Sequence, residues 1–232
     1  MKFTPRQLTL PLKWLDASTF ANFVKGDNGP TVGYLQERIE GPATADFGIY
    51  LVGGYGTGLT HLLSATCHAL TQLGKSTIYL PLRQLQDSPQ ILEGVENLDW
   101  VCLDDIERVC GLRAWEEALF HCYNRLQLAG KNLLIASHVS PAQLPCGLPD
   151  LVSRLAASTI LTVHPLADEE KIRALQLRAQ DKGLELAPEA AHYLLHHYPR
   201  DTPALFRALE KLDEASFAAQ RRLTVPFIKE TL

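Results

Sequence analysis

Phe47-Gly48-Ile49-Tyr50-Leu51-Val52 is an apolar run that passes directly into Gly53-Gly54-Tyr55-Gly56-Thr57-Gly58-Leu59-Thr60, and a helical pattern follows to residue 73. Strand, glycine-rich loop and helix in that order are the context that a phosphate-binding loop requires. Glycines let successive backbone N–H groups curl around an anion, which then sits at a helix N-terminus where unsatisfied donors and the dipole favour negative charge. The spacing GxxxxGK followed by Ser or Thr is met at Gly53, Gly58 and Thr60, with Leu59 in the place of the lysine. The backbone nest is kept and its point charge is lost. One charge-assisted contact is worth about 1.5–3 kcal/mol, so triphosphate affinity is expected to fall roughly tenfold to a hundredfold. Taken alone, the loop fits a ligand-free strand-to-helix turn equally well.

Trp100-Val101-Cys102-Leu103-Asp104-Asp105 tips that balance. A buried strand ending in two carboxylates puts Asp104 where, with the Thr60 hydroxyl, it can hold a Mg²⁺ on the phosphates, and Asp105 where it can orient an attacking water. The same pair would also cap a following helix. With Ser137 closing the next apolar strand, the combination predicts a P-loop nucleotide-binding fold. Strand patterns at 47–52, 77–80, 100–103, 133–137 and 159–163 alternate with helical patterns at 30–40, 60–73 and 114–129, which predicts an α/β domain with a mostly parallel five-stranded sheet. After Pro165 no strong strand remains, and helical patterns at 168–182, 188–197 and 202–220 predict a small lid. The expected organisation is a tail over 1–13, an α/β nucleotide-binding domain over 14–164 and a helical lid domain over 165–232.

Composition narrows the rest. The 232 residues carry a net charge of −4 and are 46% apolar, ordinary globular values with no low-complexity tract. That charge gives no global footprint for duplex DNA, so any nucleic-acid contact has to be argued from a site. No window approaches the roughly 18 apolar residues of a membrane helix, and residues 1–15 lack the apolar core of a signal peptide, so a cytoplasmic protein without a membrane partner is expected. The five cysteines include no CxxC pair, and Cys67, Cys102 and Cys122 lie in apolar runs, as free buried thiols do. His192, His196 and His197 offer an i, i+4 pair without a matching third ligand and are expected to face solvent.

The residues quoted so far resemble the DnaA-like branch of the AAA+ family, and within it the short regulatory homologues that inactivate the bacterial initiator DnaA. The resemblance is carried by Thr19-Phe20-Ala21-Asn22-Phe23-Val24-Lys25-Gly26-Asp27-Asn28, by Gly53 to Leu63, by Asp104-Asp105, and by Leu148-Pro149-Asp150-Leu151-Val152-Ser153-Arg154-Leu155. It covers nearly the whole chain from Phe20 to Leu232. It implies an AAA+ sheet with a nucleotide between sheet domain and lid. Phe23, Val24 and Asn28 would lie near the base and ribose, and the loop from Gly53 to Thr60, with His61, near the phosphates. Ser137 would be sensor 1, and Arg154 an arginine finger presented in trans to a neighbouring subunit. Spacing alone instead pairs Arg154 with Asp150 at i, i+4.

Two departures bear on activity. Leu59 replaces the loop lysine, and Pro203 stands where the family's sensor 2 arginine would begin a lid helix, with Arg200 and Arg207 nearby. A chain lacking both cations is expected to have weak or absent ATPase activity of its own and to hold a diphosphate such as ADP. No helix-turn-helix module for duplex DNA is expected after the lid. The tail carries Gln7-Leu8-Thr9-Leu10-Pro11-Leu12, which resembles the short peptide that docks on the replicative sliding clamp. Gln7 can offer its amide while Leu10 and Leu12, two residues apart, enter one apolar pocket and Pro11 limits the entropy lost; Leu8, Leu10 and Leu12 also alternate as an edge strand would.

The resemblance thus implies an adaptor that binds the DNA-loaded clamp and promotes hydrolysis of DnaA-bound ATP, repressing initiation of chromosome replication. DnaA and the clamp (polymerase beta subunit) are the expected partners, DNA is reached mainly through the clamp, and self-association is open. A helicase loader of the DnaC type would instead need a basic, aromatic-rich extension. A free-standing nucleotide kinase or NTPase is opposed by Leu59.

Overall fold

The computed structural model describes residues 18–41 and 47–232. The clamp-docking reading of Gln7, Leu8, Leu10, Pro11 and Leu12 lies outside the described residues. Along the chain run α1 (Gly29–Glu40), β1 (Ile49–Gly53), α2 (Leu59–Gln72), β2 (Thr77–Pro81), β3 (Trp100–Asp104), α3 (Arg113–Leu128), β4 (Asn132–Ser137), α4 (Pro149–Ala156) and β5 (Thr159–Val163). The C-terminal part adds α5 (Asp168–Asp181), α6 (Pro188–His197), α7 (Thr202–Ala219) and α8 (Val225–Thr231).

The five strands pair in parallel in the order β2-β3-β4-β1-β5. Period-two alternation sorts their side chains onto two faces. Ile49, Leu51, Trp100, Cys102, Leu134 and Ala136 pack with α1 and α2, and Tyr50, Val101, Leu103, Leu133 and Ile135 pack with α3 and α4. Both faces are covered, which explains why these strands read as near-continuous apolar runs. The order reverses between β1 and β4, and at such a switch point the crevice beyond the carboxyl ends of the strands is the usual ligand position. Gly53, Asp104 and Ser137 all sit at those ends.

Local signals set the helix limits. Pro30 lies in the first turn of α1, and Gly74 and Gly130, at φ 70° and 63°, end α2 and α3 in the left-handed conformation. Asp201 caps α7 by accepting from the Ala204 N–H at 2.8 Å. The lid has a core of its own from α5 to α8, so it contains four helices where the sequence pattern predicts three. The extra one, α8, is short, and Phe227 and Ile228 are its two buried residues, too few to announce a period. Cys67, Cys102, Cys110 and Cys122 are buried as free thiols, while Cys146 is half-buried. Among the described residues, no helix is long and apolar enough to cross a membrane.

One buried carboxylate fixes the approach to α4. Glu116 on α3 accepts hydrogen bonds through Oε1 from the N–H of Gly111 at 2.7 Å and of Gly147 at 2.8 Å, tying together the loops before α3 and before α4. Burial raises its carboxyl, and the two N–H donors more than offset this, holding it below the usual glutamate range. Glu116→Ala removes the acceptor shared by both N–H groups and is expected to destabilise the fold by roughly 1–3 kcal/mol in urea titration. A lowered folded value means that the carboxyl contributes fully above the unfolded value, about 4.3. The stability difference between wild type and Glu116→Gln should therefore shrink as pH falls through the folded value.

Candidate functional site

At the end of β1 the chain turns through Gly54 to Thr57, closed by the Thr57 hydroxyl donating to the Gly54 carbonyl at 2.9 Å. Gly58, at φ 97°, then starts α2 with no side-chain cap, and no acidic residue stands in the first turn. A 14-residue helix whose leading N–H groups are uncapped, behind a turn with Gly54, Tyr55 and Thr60 open to solvent, is a ready anion cradle.

Two contacts require glycine in this loop. A Cβ on Gly58 would lie 2.7 Å from the Phe23 ring, and one on Gly56, at φ 79°, would collide with Pro203 Cδ. The segment before α1 and the start of the lid helix α7 therefore wall the loop on two sides. Phe23 and Val24 are half-buried, and the Phe23 ring also lies 5.3 Å from the His61 ring. The Thr19 carbonyl can only accept, so His61 Nε2 donates to it at 2.8 Å; burial holds this imidazole below the usual histidine range. Asn28 spends both ends of its amide on the main chain of His164, donating to its carbonyl at 3.0 Å and accepting from its N–H at 2.7 Å. It clasps the strand-to-lid linker, a structural use of a residue that the resemblance places near the base.

Asp104 is 3% exposed and is the deepest charge at the site. Its Oδ2 accepts from the Thr60 hydroxyl at 2.7 Å and the Tyr79 hydroxyl at 2.8 Å, and its Oδ1 from the Asp105 N–H at 3.0 Å. Burial pushes the carboxyl above the usual aspartate range, opposed by the donors from Thr60 and Tyr79. Thr60 and Asp104 together offer the hard oxygen donors that Mg²⁺ takes. Asp105 does not cap the turn that follows. It takes a left-handed φ of 58° and pairs with Arg83 Nε at 3.0 Å. Ser137 donates to Glu107 Oε2 at 2.8 Å, and the next residue, His138, hydrogen-bonds the Gly53 carbonyl and stacks on Tyr55.

Arg83 and Arg108 border the site, committed to Asp105 and to the Tyr55 hydroxyl, and the positions that the family pattern gives to cations are filled otherwise. Leu59 is 4% exposed and joins the apolar cluster under α1 and α2, so its side chain belongs to the core and not to the phosphate cradle. Arg200 pairs with Asp168 at 3.5 Å, and Arg207 is exposed. Arg154, on α4, does not form the Asp150 pair that spacing suggests. Its guanidinium lies 5.3 Å from the Phe120 ring centroid and 5.7 Å from that of Tyr123, reaches Gln127 Oε1 at 3.5 Å, and makes no ion pair among the described residues. His192, His196 and His197 face solvent.

Sequence reasoning missed Tyr79, Arg83, Glu107 and His138. Tyr79 sits mid-strand in Thr-Ile-Tyr-Leu, where an aromatic reads as ordinary strand composition. Glu107 and His138 had a usable signal: each follows a site residue within one to three positions, at the end of a buried strand.

Two family models match the chain: the Bacterial DnaA ATPase domain over residues 15–161 and the Hda lid domain over residues 168–232. The chain is similar to domain III of the replication initiation protein DnaA from Thermotoga maritima, at 23% identity and a TM-score of 0.81, covering 99% of this chain and 98% of that one. It is also similar to AMPPCP-bound DnaA from Aquifex aeolicus, at 23% identity and a TM-score of 0.73, covering 86% of this chain and 66% of that one. A replication initiator DnaA bound to AMPPCP and single-stranded DNA matches at 22% identity and a TM-score of 0.72, over 88% of this chain and 68% of that one. The chain thus spans about two thirds of the longer initiators.

Restoring the missing charge is a direct check on the loop. Leu59→Lys should raise ATP affinity roughly tenfold or more, measured with a fluorescent analogue. It should also cost about 1.5–3 kcal/mol of stability, because a buried leucine is lost. Unaltered binding would mean that a lysine at this buried position reaches no phosphate.

Proposed function

The chain belongs to the bacterial DnaA ATPase-domain family of AAA+ proteins, and on that premise we propose that it is a regulatory adaptor of the Hda kind, acting on DnaA and not on a substrate of its own. The observation that carries this reading is the distribution of cations. Where a self-sufficient ATPase needs positive charge, the chain has the core residue Leu59 and, packed on Gly56, Pro203. Arg154, without an ion pair among the described residues, lies instead on α4, half-buried against Phe120 and Tyr123 of α3. The match of the Hda lid model to residues 168–232 supports the same reading.

In this proposal a nucleotide, of diphosphate type such as ADP, occupies the crevice between the phosphate loop and the lid. The N–H groups at the start of α2 bind its phosphates, and Thr60 and Asp104 supply oxygen ligands to an accompanying Mg²⁺. The base lies toward Phe23 and Val24. The bound nucleotide stabilises the closure of the lid on the loop. The isolated chain turns over ATP slowly or not at all, because no cation of its own meets the charge that develops on a γ-phosphate.

Arg154 acts on the ATP held by DnaA. When water attacks that γ-phosphorus and the bond to the bridging oxygen breaks, negative charge spreads over the transferring oxygens. A planar guanidinium can meet two of them at once. Such a finger in trans is worth roughly 10³–10⁵ in rate. The clamp-binding tail, Gln7 to Leu12, concentrates the adaptor on DNA that carries a loaded clamp, so stimulation follows completed loading.

Arg154→Ala should leave the melting temperature within a few degrees of wild type and abolish stimulated hydrolysis of DnaA-bound ATP, with Arg154→Lys retaining a minor part. Full stimulation by Arg154→Ala would reduce this residue to a surface contact worth at most about 1 kcal/mol. Gln7→Ala, or Leu10→Ala with Leu12→Ala, should lose retention on immobilised clamp while circular dichroism stays unaltered. Retention equal to wild type would exclude the tail as the docking peptide.

A further inference from the structure

Beside the phosphate loop, at the carboxyl ends of β3 and β4, Asp105, which the sequence pattern assigns to an attacking water, meets two side chains that have no part in the nucleotide reading, Glu107 and His138. Asp105, Glu107 and His138 each bring one possible ligand atom to within 4.8 Å of the others. One ligand atom of each is already committed to another partner, which leaves one free on each. His138 Nδ1 lies 3.0 Å from the Gly53 carbonyl oxygen. A carbonyl only accepts, so Nδ1 carries a hydrogen, and in the neutral ring Nε2 holds the lone pair. That lone pair faces Asp105 Oδ1 at 3.7 Å, too long for a hydrogen bond. The other oxygen of Asp105 is taken by Arg83 at 3.0 Å.

Glu107 gives the independent observation. Its Oε2 accepts from Ser137 at 2.8 Å, while its Oε1 is buried and accepts no hydrogen bond; the Arg108 Nε is 3.9 Å away. A buried carboxylate oxygen that accepts no hydrogen bond and has only a long ion-pair contact is costly unless a closer cation satisfies it. The Tyr55 ring covers the imidazole at 3.9 Å between centroids, and Arg108 donates to the Tyr55 hydroxyl. Asp105 reaches the group only through its left-handed backbone, a conformation uncommon outside turns and functional sites.

We propose that Asp105 Oδ1, Glu107 Oε1 and His138 Nε2 bind a divalent first-row transition-metal ion of the Zn²⁺ class, at a position separate from the Mg²⁺ ligands Thr60 and Asp104. One imidazole and two carboxylates form a three-ligand set that suits Zn²⁺ and leaves a position open, whereas Mg²⁺ favours oxygen ligands throughout. The outer contacts are those a metal histidine uses: a backbone carbonyl on Nδ1 fixes the tautomer, and Ser137 and Arg83 orient the carboxylates. Through the hydrogen bond from His138 to Gly53, the ion braces the first residue of the phosphate loop. The site requires neither nucleotide nor DnaA, so it stands apart from the adaptor proposal.

The test uses the full chain, stripped with chelator and free of nucleotide, titrated with Zn²⁺ by calorimetry and with Co²⁺ as a spectroscopic probe. One Zn²⁺ per chain should bind at least tenfold more tightly than Mg²⁺, with visible Co²⁺ bands and a rise in melting temperature on adding Zn²⁺. His138→Ala and Glu107→Gln should each weaken Zn²⁺ binding at least tenfold, and His192→Ala with His196→Ala should not. Should His138→Ala fail to fold, Glu107→Gln, which keeps an acceptor for Ser137, carries the test. Absence of stoichiometric binding, equal affinity for Mg²⁺, or loss of binding in the His192 and His196 variant instead would each overturn the site.

Discussion

The hydroxyls of Thr60 and Tyr79 donate to the same oxygen of Asp104, at 2.7 and 2.8 Å, and this shared carboxylate is the junction on which the site depends. It joins the first turn of α2, the middle of β2 and the end of β3. A charge buried that deeply is tolerable because three donors, counting the Asp105 N–H, satisfy it. Any change in the seating of the phosphate loop alters those donors, and any cation arriving at Thr60 meets a carboxylate already aimed at it. The loop is therefore held in shape by a polar contact at its far end, while the first N–H groups of α2 carry no side-chain cap.

Around that junction the chain closes a crevice with apolar contacts. Phe23 rests against Gly58 and Pro203 against Gly56. Neither position has room for a Cβ, so the two glycines do more than permit left-handed backbone: they let the N-terminal segment and the lid approach the loop. Asn22 reaches Asp181 at 2.9 Å, and Asn28 clasps His164. These tie the segment before α1 to α5 and to the start of the lid. A ligand held here would touch both parts of the chain, so its binding would be coupled to the position of the lid.

The loss of cations at the loop and the placement of Arg154 have a common physical consequence. Electrostatic stabilisation of a developing phosphoryl charge requires donors fixed close to the reacting oxygens. The chain keeps backbone amides and carboxylates at the loop, and the Arg154 guanidinium, with no ion pair among the described residues, lies on another part of the surface beside Phe120 and Tyr123. Aromatic faces hold the cation in a defined orientation without neutralising it. The Asp150 pair suggested by spacing would have neutralised it, and its absence leaves the guanidinium's charge uncompensated by any ion pair among the described residues.

Local chemistry made much of this legible in the sequence. The strand–loop–helix order with Gly53, Gly58 and Thr60, the Asp104-Asp105 strand end, the parallel α/β architecture and the helical lid all rest on near-neighbour patterns, because glycine conformations, caps and period-two alternation act over a few residues. What the sequence alone could not decide were pairings between distant segments. Tyr79 reaches Asp104 only because β2 lies beside β3, and Glu107, His138 and Asp105 meet only because β3 and β4 are adjacent with ends in register. Leu59 was visible as a missing charge, but its burial in the core, the contact of Pro203 with Gly56 and the turning of Asn28 onto His164 depend on how helices and lid pack. Those contacts are set by the exclusion of water from shared apolar surface across the whole fold, and no short stretch of residues records that.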